Sequence, residues 1–185
     1  MPGITRQQLI DHACAIAAQH GIAALTIRGL AQECGVSTGA VYLHFKTKSE
    51  LSVAVIETFF RRKLFADFCL PSGGFDYLEF CKRVDAEIED AMREFMTKWL
   101  RGAEALPAKE VQAAKTREAE VMEHIQRGLV YAFDRDPDID RDALPEGVDG
   151  ASISALVLDA IVKRVRGQGT CDAVFYLLER GLYRN

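Results

Sequence analysis

The 185-residue sequence predicts an all-α protein of about nine helices. Three small N-terminal helices hold a helix-turn-helix, and a larger helical domain follows. Three observations predict this. Apolar residues return at three- and four-residue intervals along nearly every segment, as a single buried helix face requires. Glycine and proline sit at the ends of those runs, where helices stop and start. Residues 26–48 also read as two short helices joined by a glycine-containing turn.

That stretch organises the chain. Thr26 is the N-cap of a helix over Ile27–Cys34, with Ile27, Leu30 and Ala31 on one side. Gly35 supplies the left-handed stop, Val36 plugs the turn, and Ser37 caps the next helix. The second helix, Thr38–Phe45, turns Val41 and Phe45 inward and leaves Thr38, Gly39, Tyr42 and His44 on its other faces. In a helix-turn-helix the second helix enters the DNA major groove. Lys46 and Lys48 just beyond it, and Arg28 near the start of the first helix, supply cations for phosphates. Gly39 and Ala40 are small enough for a close backbone approach. The alternative is a helix pair in a bundle with solvated lysines, and Tyr42 packed on the domain core.

The runs Leu-Thr-Ile-Arg-Gly-Leu-Ala (25–31), Cys-Gly-Val-Ser-Thr-Gly-Ala-Val-Tyr-Leu-His-Phe (34–45) and Lys-Thr-Lys-Ser-Glu-Leu (46–51) resemble the N-terminal domain of tetracycline-repressor-type (TetR family) regulators. The resemblance covers about residues 5–60. Gly29 departs from it, since the family usually has a longer residue there; glycine in a helix interior costs about 1 kcal/mol. Residues 61–185 resemble the family only in length and helical character. The resemblance implies a recognition helix over Ser37–Phe45. Thr38 and Gly39 would meet base edges, Tyr42, His44 and Lys48 phosphates, and Arg28 a base or the backbone. It also implies a helix-turn-helix DNA-binding domain over 1–47 and an effector-binding and dimerisation domain over 48–185.

Composition agrees with such a division. The net charge is −4, but residues 1–63 carry +3 and residues 64–185 carry −7. A nucleic-acid surface belongs at the N-terminal end. No stretch is long and apolar enough to span a membrane, and Met-Pro-Gly-Ile-Thr-Arg lacks the apolar core of a signal peptide. Cys14, Cys34, Cys69, Cys81 and Cys171 form no Cys-x-x-Cys pair. An odd, dispersed set points to reduced thiols and a cytoplasmic protein.

The elements follow in order. Thr5 and Gln8 form a capping box that opens a helix to His20, with Leu9, Ile10, Ala13, Ile16 and Ala17 buried. The three small helices share Leu9, Ile16, Leu25, Leu30, Val36, Val41 and Phe45. Thr47 and Glu50 make a second capping box, opening a helix over Lys48–Cys69 that joins the two domains. Pro71–Gly74 ends it. A helix over Phe75–Trp99 carries Leu78, Cys81, Val84, Ile88, Met92, Phe95 and Trp99, with a break near Gly102. Pro107 suits the first turn of a helix over Ala108–Phe133. Glu118 interrupts that helix's apolar stripe, either turned to solvent or as a polar handle in a cavity. Residues 134–150 read as a long acidic surface loop. Helices over Ala151–Arg166 and Cys171–Tyr183, the latter capped by Thr170, complete the chain.

Catalytic patterns are missing: no phosphate-binding glycine loop, no Glu-x-x-His pair, no Ser/Cys–His–Asp signature, and no cofactor is expected. Glu120, Glu123 and His124 are better read as exposed helix polarity than as a metal site. The function expected is a ligand-responsive DNA-binding regulator: a repressor released from its operator by a small, largely apolar effector. The alternatives are a thiol-based redox sensor on the same scaffold, or a helical-bundle enzyme or interaction module. A homodimer on a near-palindromic duplex is expected. By resemblance its interface uses Ile153, Leu156, Val157, Ala160 and Ile161 with Val174, Leu177, Leu178 and Gly181, unless those faces close the monomer's own core. The effector pocket is expected among Phe60, Leu64, Phe80, Val84, Ile88, Met92, Trp99, Glu118, Met122 and Ile125, unless these make a solid core. Asp85, Glu118 or His124 would meet a polar group on the effector.

Overall fold

The computed structural model describes residues 3–65, 76–101 and 108–183, with side chains over 3–64, 76–101 and 121–183. Its α-helices are α1 (Arg6–His20), α2 (Ile27–Glu33), α3 (Thr38–His44), α4 (Lys48–Phe65), α5 (Tyr77–Glu94), α6 (Ala108–Arg135), α7 (Gly150–Val165) and α8 (Asp172–Leu182). The fold is all-α, as the periodicity predicts. The expected count of about nine becomes eight α-helices among the described residues. The helix expected over Phe75–Trp99 ends at Glu94 and continues as a π turn, Phe95–Trp99, in which Leu100 N–H donates to the Phe95 carbonyl at 3.0 Å. Cys69, Pro71–Gly74, Phe75, Gly102 and Pro107 lie outside the described residues.

Backbone proximity divides the chain into two compact units: residues 1–65 with 91–118, and residues 66–90 with 119–185. In the first, α1 packs on α2 and α4, and also on the π turn. The capping box of Thr5 and Gln8 is formed as expected. Leu9, Leu25, Leu30, Val41 and Phe45 are fully buried, while Ile16 and Val36 pack half-buried at the edge. Each fully buried side chain of this size contributes about 1.5–3 kcal/mol through lost apolar exposure. Thr47 caps α4 through Glu50 N–H at 3.0 Å, and the Glu50 carboxylate reaches back to Lys46 N–H at 2.8 Å. Arg62 of α4 pairs with Asp11 of α1. Gln7 first, then Arg62, holds the Asp11 carboxyl below its usual range.

The second unit is built on α5, α6, α7 and α8. Tyr77, Cys81, Val84, Ile125, Leu129, Val157 and Ile161 form its core. Residues 134–150 are mostly exposed, as expected of a surface loop, but Asp136 and Ile139 within them are buried. Buried Asp136 accepts from Tyr77 N–H at 2.7 Å and from Tyr183 O–H at 2.8 Å. Arg141 donates to the carbonyls of Phe133 (2.6 Å), Asp136 (2.9 Å) and Ile139 (3.3 Å). Ile139 is buried and bridges to Tyr183. The loop's acidity thus includes one carboxylate that ties three chain segments together. Asp149 and Ser152 form a reciprocal cap at the start of α7. Gly150 follows because a Cβ there would lie 2.5 Å from the Phe133 ring. Thr170 is not the cap of α8; Cys171 takes that position without a side-chain bond to the helix, and its Sγ faces Asp85 Oδ1 at 3.3 Å instead.

Candidate nucleic-acid interface

Local capping sets the register of α2 and α3. Thr26 Oγ1 accepts from Gly29 N–H at 2.9 Å. A Cβ on Gly29 would sit 2.9 Å from that oxygen, which gives the unusual glycine a local reason. Gly35, at φ 64°, ends α2, and Val36 N–H reaches back to the Ala31 carbonyl at 2.9 Å. A left-handed glycine followed by such a bond is how helices turn sharply. Ser37 Oγ then accepts from Ala40 N–H at 3.2 Å to open α3.

α3 is anchored by Val41 and Phe45, both fully buried, with the Arg6 guanidinium 4.8 Å from the Phe45 ring centre. The opposite side of α3 is bare. Ser37, Thr38 and Gly39 are exposed, and so are Tyr42 (48%) and Leu43 (76%). Tyr42 therefore does not pack into the core. Leu43, absent from the residues expected at the interface, lies midway between the two inward anchors, which places it on the outer face.

The flanking cations rest on nearby carbonyls. Lys46 Nζ donates to Tyr42 O at 3.2 Å and Lys48 Nζ to Ala23 O at 3.3 Å. Both lysines and Arg28 are exposed. Such bonds are readily exchanged for phosphate oxygens, which take the same donors with a full charge behind them. His44 differs: it is half-buried, and its Nε2 lies 3.0 Å from the Ile4 carbonyl, tying the end of α3 to the N-terminal segment.

The other expected sets are only partly gathered. Phe60, Leu64, Met92 and Trp99 belong to the first unit, and Phe80, Val84, Ile88, Met122 and Ile125 to the second. Leu64, Trp99, Phe80, Val84, Ile88 and Ile125 are buried; Phe60, Met92 and Met122 are half-buried. The Glu118 side chain lies outside the described residues. Asp85 is already engaged: Arg164 Nε donates to it at 2.6 Å. His124 is exposed, and partial desolvation followed by Arg127 lowers its pKa. An open groove of about 450 Å³ in the second unit is lined by Leu78, Lys82, Asp85, Asp172, Phe175, Tyr176 and Glu179, none of them in the expected hydrophobic set.

The two helices expected at a dimer interface each present two faces. Ile153, Val157, Ile161 and Leu178 point into their own unit's core, correcting their assignment to an intersubunit face. Leu156 (53%), Leu177 (66%) and Gly181 are exposed, and Ala160 and Val174 are half-buried.

The described thiols are shifted away from the thiolate form. Burial raises Cys14 and Cys34, and pushes Cys81 up to about 12 and Cys171 up to about 11. Reactive cysteines need the opposite shift, since the thiolate is the nucleophile. Among the described residues no cluster of His, Cys, Asp and Glu fits a metal ion, and no helix is long and apolar enough to cross a membrane.

Known proteins share this headpiece. The family described as "Bacterial regulatory proteins, tetR family" matches residues 9–55. An uncharacterised HTH-type transcriptional regulator, YerO of Bacillus subtilis, is 42% identical over 52 residues, 28% of this chain and 18% of that protein. The probable acrEF/envCD operon repressor of Escherichia coli K12 is 45% identical over 47 residues, 25% of this chain and 21% of that protein. These matches span about a fifth of the relatives' own length. In fold, the chain is similar along 97% of its length to a TetR/AcrR-family transcriptional regulator from Thermobifida fusca, which is covered to 98% at 22% identity and TM-score 0.54. It is also similar to a transcriptional regulator from Cytophaga hutchinsonii, with 96% of this chain and 98% of that one covered at 14% identity and TM-score 0.63. With α2, the turn and α3 matching in sequence and the all-α fold similar along the chain, residues 9–55 match the N-terminal domain of the tetR family of bacterial regulatory proteins.

Proposed function

We propose that the protein is a ligand-responsive transcriptional repressor that inserts α3 into the major groove of operator DNA. The observation that carries this is the outer face of α3. Thr38, Gly39, Tyr42 and Leu43 are exposed at helical spacing while Val41 and Phe45 hold the helix from behind. Thr38 and Gly39 read base edges, and Leu43 offers an apolar contact of the kind a thymine methyl takes. Ser37, Tyr42, Lys46, Lys48 and Arg28 hold the backbone. His44 acts mainly by securing the N-terminal segment to α3. The functional division is a DNA-binding headpiece over 1–47 and an effector-binding and dimerising part over 48–185. Two copies meet through Leu156, Ala160, Val174, Leu177 and Gly181 on a near-palindromic site. A small, largely apolar effector favours the released state; it must bind that state more tightly to shift the balance. The protein acts in the cytoplasm, where the operator is.

A gel-shift screen of promoter fragments, beginning with those flanking its own gene, tests the reading. Retention of a specific fragment is expected. Lys48→Ala should weaken binding to all sequences and reduce the slope of log K against log salt by about one unit, as for one lost phosphate contact. Failure to retain any fragment removes the proposal, and an unchanged salt slope removes the role given to Lys48.

A further inference from the structure

Trp99 is 4% exposed, yet among the described residues its Nε1–H has no hydrogen-bond acceptor. A buried donor left without an acceptor costs more than a typical hydrogen bond returns. The residue sits at the end of the π turn, a wide turn that recurs at functional sites. Aromatic rings surround it. Phe59 lies 4.5 Å from the indole between ring centres, Phe95 lies 5.7 Å from Phe59, and Phe60 packs on both phenylalanines at 5.0 Å. All four rings belong to the first unit and pack with the headpiece core.

A trapped water is a poor occupant, because a buried water needs two to four polar partners. Among the described residues of this unit, Trp99 Nε1 is the one buried side-chain polar atom without a partner. An ion is also a poor occupant, because shedding its hydration among phenylalanine rings outweighs one indole bond. We propose that Trp99 Nε1–H donates to an oxygen of the effector, and that the effector is an uncharged apolar molecule bearing a carbonyl-type acceptor. This rests on reading the chain as a ligand-responsive regulator, and it adds the ligand's class and its polar anchor.

The chain contains one tryptophan, so the ¹⁵N-labelled full-length protein gives one indole cross-peak. Cyclohexyl methyl ketone, and N,N-dimethylcyclohexanecarboxamide as a stronger acceptor, are titrated into it. The indole proton should move downfield and saturate, further with the amide than with the ketone. Trp99→Phe, which keeps a ring and loses the donor, should bind the ketone about two- to tenfold more weakly, the value of one neutral hydrogen bond. The wild-type titration stands without the variant, should that variant not fold. Three results overturn the proposal: neither probe binds up to its solubility, the ketone binds without moving the indole proton, or that proton is already at a hydrogen-bonded position in the free protein. Gel shifts run on the same samples separate the two levels. DNA retention with a silent indole sinks the effector anchor alone. A responsive indole with no DNA retention sinks the regulator reading and leaves the binding site standing.

Discussion

Adjacent leucines on α8 give the sharpest test of the proposed dimer. Leu177 is 66% exposed and Leu178 is 6% exposed, so one substitution on each separates an intersubunit face from the unit's own core. Fully burying a leucine is worth about 1.5–3 kcal/mol. With two-thirds of Leu177 available, a partner would gain about 1–2 kcal/mol from it. A two-fold interface uses the residue twice, for about 2–4 kcal/mol. Leu177→Arg removes this and puts a charge on that face of each copy. The dimer dissociation constant should therefore rise roughly 30- to 1000-fold, with the melting temperature of the dissociated chain little changed. Sedimentation velocity over a concentration series measures the first, and a thermal melt the second. Leu178→Arg places a charge in the core and should lose several kcal/mol of fold stability, appearing as an early melt. Unchanged dimerisation of Leu177→Arg would falsify the placement of the interface on the outer face of α8.

Three further outcomes are expected. Tyr183→Phe removes the hydroxyl that donates to Asp136 and accepts from Leu78 N–H at 3.2 Å, and should cost about 2 kcal/mol in urea denaturation; a loss near zero would mean the second unit does not depend on this tie. Gly35→Ala should cost about 1–2 kcal/mol through backbone strain alone, since φ is 64° and nothing lies within 4 Å of the new methyl; an equal or higher melting temperature contradicts that. The raised Cys81 pKa links stability to alkaline pH. The folded state keeps the proton up to about 12 while the unfolded thiol loses it from about 9, so this contribution is whole below 9 and is lost as pH climbs toward 12. Cys81→Ala should flatten that part of the stability–pH curve, and an unaltered curve counts against the linkage.

The local features were legible in the sequence because their causes lie within a few residues. Thr5 with Gln8, Thr26, Gly35 and Ser37 act over three to five positions, and those caps set α1, α2, the turn and α3. The inward pair Val41 and Phe45 then dictates which face of α3 is bare, Leu43 included. Other features depend on partners far along the chain. Asp136 accepts from Tyr77, 59 residues away, so a stretch whose acidity signals solvent holds a buried carboxylate. Asp85, offered by its helix as a ligand handle, is claimed by Arg164, 79 residues on. Leu177 and Leu178 are chemically identical neighbours, and periodicity marks α8 as amphipathic without saying which leucine its own unit buries. The π turn at Phe95–Trp99 carries no helix-breaking residue to announce it, and it places an indole donor among phenylalanines contributed by another helix. Hydrogen-bond caps and helical periodicity are local properties, written where they act; burial of a face and satisfaction of a polar group belong to pairs of segments and exist only once the chain has folded.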